Sequence, residues 1–172
     1  MSEIVLLSAS PSASSRSRWV ARSIVEGAGR PVRAITPVEL GAEDVLAARE
    51  TPSIAAFVGA VREAAAIVLA TPVYKASYAG ALKAVLDLVP HDALRGTPWL
   101  AIATAKAPAH LTPTAHALSE LASFFEARVV ASPLSFRDDE LAREGEGYRP
   151  DMSAAERIAR ARDDLRHALR DR

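Results

Sequence analysis

Short runs of consecutive apolar residues alternate along this chain with longer stretches in which apolar residues return every third or fourth position. The runs at residues 4–8, 31–35, 65–70, 99–103 and 128–131 predict five strands, because a strand covered on both faces of a sheet is apolar throughout. Between them lie helical periods. Residues 15–28 turn Val20, Ile24 and Trp19 to one side, and a helix opening at Thr51-Pro52 does the same with Ile54, Phe57, Val58 and Val61. From Tyr78 the apolar positions are Tyr78, Leu82, Val85, Leu86 and Val89; after Thr112-Pro113 they are Leu118, Leu121, Ala122 and Phe125. Both Thr-Pro pairs read as an N-cap followed by proline in the first helical position. Ser153-Ala-Ala-Glu156 reads as a capping box opening a last helix with Ile158, Leu165 and Leu169 inward.

Five strand–helix units without an internal repeat predict an α/β domain over residues 1–172, a doubly wound parallel sheet of five strands in the order 2-1-3-4-5 with helices on both faces. Pro72 is expected to end the third strand, having no N–H for the ladder. The stretch 137–150 is charged and carries glycine. It is expected to be a mobile surface connection, with a lid over the site or a strip of subunit contact as the alternatives.

Composition narrows the function classes. Among 172 residues, 21 are basic and 21 acidic, so no charge surplus points to nucleic acid or an anionic membrane. No apolar run approaches the length of a membrane span, and no basic leader precedes Ile4, so neither a transmembrane helix nor a signal peptide is expected. The absence of cysteine removes disulfides, thiol catalysis and cysteine-bound metal. A cytoplasmic protein is the expectation.

Candidate chemistry gathers at three turns that follow strands. The first, Ser8-Ala-Ser-Pro-Ser-Ala-Ser-Ser-Arg-Ser17, is dense in hydroxyls at a helix start. A phosphate monoester seeks short donors, free backbone N–H groups and a helix N-terminus. Ser10, Ser15, Arg16 and Ser17 supply these, although plain capping is the simpler use of one serine. The second turn holds Pro72, Val73, Tyr74 and Lys75, with Tyr74 in the turn itself and Tyr78 on the following apolar stripe. The third is Thr104-Ala-Lys-Ala-Pro-Ala-His110. Lys83 and Asp87 form an i, i+4 pair expected on the surface. Four scattered histidines (91, 110, 116 and 167) without carboxylates at ligand spacing argue against a metal site. No Walker, G-x-S-x-G or G-x-G-x-x-G pattern is present.

Thr71, Pro72, Tyr74, Tyr78, Gly80, Leu82 and Lys83 fit a T-P-x-Y-x-x-x-Y-x-G-x-L-K pattern. In this the chain resembles the NAD(P)H-dependent FMN reductases of the flavodoxin-like fold, and among them the group that supplies reduced flavin to sulfonate monooxygenases. The resemblance runs over most of the chain and weakens after about Ser132. It implies an NAD(P)H:FMN oxidoreductase using FMN with NADPH or NADH. The phosphate would lie in the serine turn, and Pro72, Val73, Tyr74, Lys75, Thr104, Ala105 and Lys106 would border the ring. It also implies a homodimer or homotetramer and a partner flavin-dependent monooxygenase. A flavin-retaining quinone, azo or chromate reductase, or a binding module without catalysis, are the alternatives. The chain departs from the pattern at Ala9, at Ser12, and at Ala105 and Lys106, which stand where the family commonly has two glycines. Added Cβ atoms there predict looser, exchanging flavin binding. His116 aligns with a residue that the sulfonate-linked group carries in a π-bulge at a tetramer interface. The helical stripe puts it on the outer face.

Overall fold

In the computed structural model, which describes residues 2–170, the elements follow in the order β1 (Ile4–Ser8), α1 (Arg16–Val25), β2 (Val32–Ile35), α2 (Ala42–Leu46), α3 (Pro52–Arg62), β3 (Ala66–Tyr74), β4 (Ser77–Tyr78), α4 (Gly80–Leu86), β5 (Pro98–Ala105), α5 (Leu111–Phe124), β6 (Arg128–Val129), β7 (Leu134–Arg137), β8 (Leu141–Glu144), β9 (Gly147–Pro150) and α6 (Met152–Arg170). The parallel sheet runs β2-β1-β3-β5-β6. With the two-residue strand β4 set aside, this is the expected order. Along β1, Val5 and Leu7 join one apolar layer with Phe57, Val61, Leu82, Leu86 and Leu118. Ile4 and Leu6 join the other with Val20, Ile24, Ile158 and Leu165. Side chains that alternate across a strand thus bury α3, α4 and α5 on one face and α1 and α6 on the other.

Several local expectations are corrected. Pro72 does not end β3, which pairs with β5 as far as Pro72↔Thr104. The carbonyl of Ala70 accepts from Ala9 N–H at 2.9 Å on the β1 side. Pro72, two residues on, faces that same side, where β1 has already ended at Ser8↔Ala70. Its missing N–H therefore breaks no ladder bond.

Tyr78 lies in β4 rather than in the helix, paired with Val73 across an antiparallel hairpin. Thr71 locks this arrangement, its hydroxyl donating to Pro72 O (2.8 Å) and accepting from Ala79 N–H (2.9 Å). The hairpin turns at Lys75 (φ 52) and Ala76 (φ 64), both left-handed. A side chain in that region costs on the order of 1–2 kcal/mol. Ala76→Gly is accordingly expected to raise stability by about 0.5–1 kcal/mol; thermal melts check this, and an unchanged or lower melting temperature contradicts it.

Helix α5 starts at Leu111, after a 3-10 turn at Pro108–His110, and not behind a Thr112 cap. Pro113 falls within the first turn, where its missing N–H is harmless. The helix is α throughout, so no π turn occurs near His116. The last helix is capped by Asp151, whose Oδ1 accepts from Ala154 N–H at 2.7 Å, in place of Ser153. A carboxylate serves there as well as a hydroxyl and also meets the helix dipole. The Thr51 cap is as expected, accepting from Ile54 N–H at 3.3 Å ahead of Pro52.

The expected fifth strand is two pieces, β6 and β7, both paired to β5. The stretch 137–150 is no loose connection. After a short 3-10 turn, β8 and β9 pair from Leu141↔Pro150 to Glu144↔Gly147, turning at Gly145 (φ 56). Leu141 and Tyr148 are buried, and Tyr148 meets Trp19 edge-on at 5.9 Å. A Cβ on Gly147 would come within 2.9 Å of Trp19 Nε1, so the close seating of the hairpin on α1 needs glycine there. Arg157 pins its root, donating to Ser135 O at 2.6 Å and to Glu140, with its guanidinium 4.4 Å over Phe136.

Candidate active site

The C-terminal ends of β1, β3 and β5 open onto a cleft of about 460 Å³. It lies where β1 has β2 on one side and β3 on the other, the reversal point at which open α/β sheets hold ligands. One wall is the β1–α1 turn with Ser10, Ser12, Ser14, Ser15 and Arg16. Pro72, Val73 and Tyr74 form a second wall, and Thr104, Ala105 and Lys106 a third; Asp138, Arg143 and Tyr148 close the remaining side.

The turn is braced from below and from the side. Arg18 donates from Nε to Ser8 Oγ at 3.0 Å and from Nη2 to Ser10 O at 2.7 Å. Ser15 caps α1, its Oγ accepting from Arg18 N–H at 3.2 Å, and Ser10 Oγ accepts from Ser12 N–H at 3.3 Å. Tyr148 donates its hydroxyl to Ser14 O at 2.5 Å. Serines pack into such a turn because a short hydroxyl can serve a neighbouring N–H without filling space.

Arg16 is the charged centre of this wall. Its Nη1 stands 3.6 Å from an Asp138 oxygen, its guanidinium carbon 5.1 Å from the Tyr148 ring centre. Its Nε is buried without a hydrogen-bond partner. A buried donor left unpaired costs free energy, so this atom fits an acceptor that the protein itself does not supply. Hydroxyls, a helix N-terminus and an unpaired guanidinium nitrogen together suit a phosphate monoester.

Most of the expected residues converge here: Ser10, Ser15, Arg16, Pro72, Val73, Tyr74, Thr104, Ala105 and Lys106 all line the cleft. Two do not. Ser17 is fully buried beneath the turn, its hydroxyl 3.1 Å from Ser15 Oγ, because helical geometry carries it into the core-facing side of α1. Lys75 stands exposed at the hairpin tip, outside the lining. Neither Ala105 nor Lys106 has a left-handed backbone, so these positions do not require glycine for conformation and only side-chain bulk distinguishes them. Sequence reading missed Ser12 and Ser14, and also Asp138, Arg143 and Tyr148. Tyr148, one aromatic residue among charges, was the available signal for the last group.

Away from this cleft, α4 and α5 enclose a groove of about 390 Å³ with Tyr78, Lys83, Asp87, His91, Glu120 and Phe124 on its walls. Lys83 and Asp87 pair on the surface as expected, and the carboxylate raises the lysine's pKa above its ordinary value. His116 is 76% exposed and 3.2 Å from Glu120. Among the described residues no cluster of histidine and carboxylates is able to hold a metal, and no helix is long and apolar enough to cross a membrane.

The profile of a family described as NADPH-dependent FMN reductase matches residues 2–139. An FMN reductase (NADPH) of Pseudomonas putida is 35% identical over 151 residues, which are 86% of this chain and 76% of the relative. The FMN reductase (NADPH) of Escherichia coli is 41% identical over 98 residues, 56% of this chain. That match spans 51% of the E. coli protein, about half its length. An oxidoreductase from Corynebacterium diphtheriae superposes with a TM-score of 0.85 at 29% identity, over 100% of this chain and 98% of its own. By a match covering most of its length, the chain belongs to the NADPH-dependent FMN reductase family.

Proposed function

We propose that this chain is a cytoplasmic NAD(P)H-dependent FMN reductase, and that its cleft takes FMN together with NADPH or NADH. The observation that carries the reading is the buried, partnerless Nε of Arg16 beside the serine hydroxyls at the start of α1. Arg16, Ser10, Ser12 and Ser15 hold the phosphate; Pro72, Val73 and Tyr74 flank the ring on one side and Thr104, Ala105 and Lys106 on the other. Bound FMN supplies the hydride acceptor. The residues around it work by positioning and by excluding water, and hydride transfer between stacked rings needs no side-chain acid or base.

Tyr74 is 51% exposed and the cleft is open. This supports flavin that exchanges as a substrate and leaves, once reduced, for a flavin-dependent monooxygenase. The exposed outer face of α5, with His116 and Phe124, supports assembly into a homodimer or homotetramer.

The test is gel filtration of protein mixed with FMN, followed by an assay of NADPH and NADH oxidation with and without added FMN. Flavin should wash off, and dinucleotide oxidation should require added FMN. Flavin that stays bound at one per chain would favour a prosthetic group and a different acceptor, such as a quinone. No flavin binding would leave a module without catalysis.

Two variants refine this. Ser15→Ala should weaken FMN by about 1–2 kcal/mol through a lost hydrogen bond to a charged group, and should lower stability by about 1 kcal/mol through the lost cap. Equal FMN affinity in the folded variant removes Ser15 from the phosphate site. Ala105→Gly with Lys106→Gly should tighten FMN, since only side-chain bulk separates the ring from the backbone there. Unchanged affinity in a direct titration would show that this turn does not touch the ring.

A further inference from the structure

We infer that Arg143 is a specificity residue, the second guanidinium of the phosphate end of the cleft, which makes the site choose phosphorylated flavin over riboflavin. The inference rests on the FMN reading above. Arg143 comes from β8, in the hairpin that follows residue 139, where the family match stops. It nevertheless lines the same cleft as the serine turn.

Its placement is tied to that turn through one ring. The guanidinium carbon of Arg143 is 5.8 Å from the centre of Tyr148, and that of Arg16 is 5.1 Å from the same centre. Tyr148 in turn donates its hydroxyl to Ser14 O. A single aromatic residue therefore gathers two cations and fixes the edge of the phosphate turn, and each guanidinium gains from the ring's negative face.

Arg16 has Asp138 beside it, whereas Arg143 makes no ion pair among the described residues. The carboxylate of Glu144 on the same strand is turned to Arg149, 3.8 Å away. At the phosphate end Asp138 offsets Arg16, which leaves Arg143 as the uncompensated cation there. A phosphate monoester supplies the negative charge that this end lacks. Riboflavin has the same ring and side chain without the phosphate, and would leave this cation unbalanced. Arginine suits the task because its fork meets a phosphate through two parallel hydrogen bonds.

The experiment is equilibrium titration of FMN and of riboflavin, read by quenching of flavin fluorescence, into wild type, Arg143→Gln and Arg143→Lys, with inorganic phosphate as a competitor. Arg143→Gln should weaken FMN about tenfold, a screened charge-assisted contact, and leave riboflavin unchanged. Arg143→Lys should recover part of the loss, and phosphate should compete less well against FMN in the glutamine variant. FMN affinity unchanged by Arg143→Gln overturns the inference while the flavin reading stands. FMN and riboflavin weakened in step would make Arg143 a support of the hairpin only. A loss confined to the KM for NADPH, with FMN binding intact, would move the residue to the dinucleotide and equally overturn it. Wild-type protein that binds neither flavin overturns the functional reading itself.

Discussion

Arg16→Ala is expected to weaken FMN ten- to hundredfold while leaving the melting temperature nearly unchanged. A hydrogen bond to a charged group contributes about 1.5–3 kcal/mol, and each 1.4 kcal/mol is a factor of ten in affinity. Two features push the effect toward the larger figure. The substitution removes the only guanidinium on the serine turn's cleft wall, and it leaves the Asp138 carboxylate, now 3.6 Å from Arg16, facing the phosphate alone. The small stability effect has its own cause. The Arg16–Asp138 pair is about one-third exposed on each side chain, where ion pairs contribute little. Removing the guanidinium also removes a buried nitrogen that has no partner in the free protein. Flavin fluorescence quenching and thermal melts on one sample check both halves. Equal FMN affinity contradicts the phosphate assignment, and a large loss of stability contradicts the view that this side chain is held for binding.

The largest stability effect is expected at Phe136. It is fully buried on β7, pairs in register with Thr104 on β5, and packs in the apolar layer that includes Leu100, Ile102, Leu141 and Ile158. Phe136→Ala should cost about 3–5 kcal/mol in chemical denaturation, the transfer of the ring plus the cavity left behind. It also removes the surface beneath Arg157, whose guanidinium stacks 4.4 Å over the ring and ties Ser135 to Glu140 at the hairpin root. The β8–β9 hairpin carries Arg143 and Tyr148, so flavin affinity should fall as well, although Phe136 does not line the cleft. Phe136→Leu, which keeps most of the volume, should retain most of both. A loss under 1 kcal/mol for Phe136→Ala would show that the hairpin is anchored by other contacts.

The parts of the fold legible in sequence were those where one physical signal acts alone. Runs such as Ile67-Val-Leu69 are apolar because both faces of the strand are covered, and the order of five such runs with helices between them allowed the sheet to be drawn. Thr51-Pro52 was readable as a helix start because cap and proline act within three residues. Errors came where a neighbouring strand decided the outcome. The harmlessness of Pro72 depends on where β1 ends, and the pairing of Tyr78 depends on Thr71 seven residues earlier reaching Ala79. Neither is a local property. The hairpin at Leu141–Glu144 and Gly147–Pro150 was hidden by charge. Only Leu141 and Tyr148 are buried; Arg143 shares their face by register, and Ala142, Glu144 and Arg149 stand exposed.

The same division holds at the cleft. The serine turn and the Pro72–Tyr74 wall were legible because each follows a strand directly and carries residues with an evident chemical use. Asp138, Arg143 and Tyr148 were not, since their place depends on a hairpin folding back more than a hundred residues from the turn it completes. Ser17 was misjudged because it sits behind the cap: it is fully buried, with its hydroxyl 3.1 Å from Ser15 Oγ, and it backs the turn without facing the cleft.

The most direct test of the central claim is anaerobic mixing of the purified protein with FMN and a stoichiometric amount of NADPH, followed at the flavin's visible absorption band. The account predicts that the band bleaches at a rate proportional to protein concentration, one NADPH being consumed per FMN, and that Arg16→Ala protein slows the bleaching at low FMN. Bleaching no faster than in protein-free solution, with the protein folded, would contradict it.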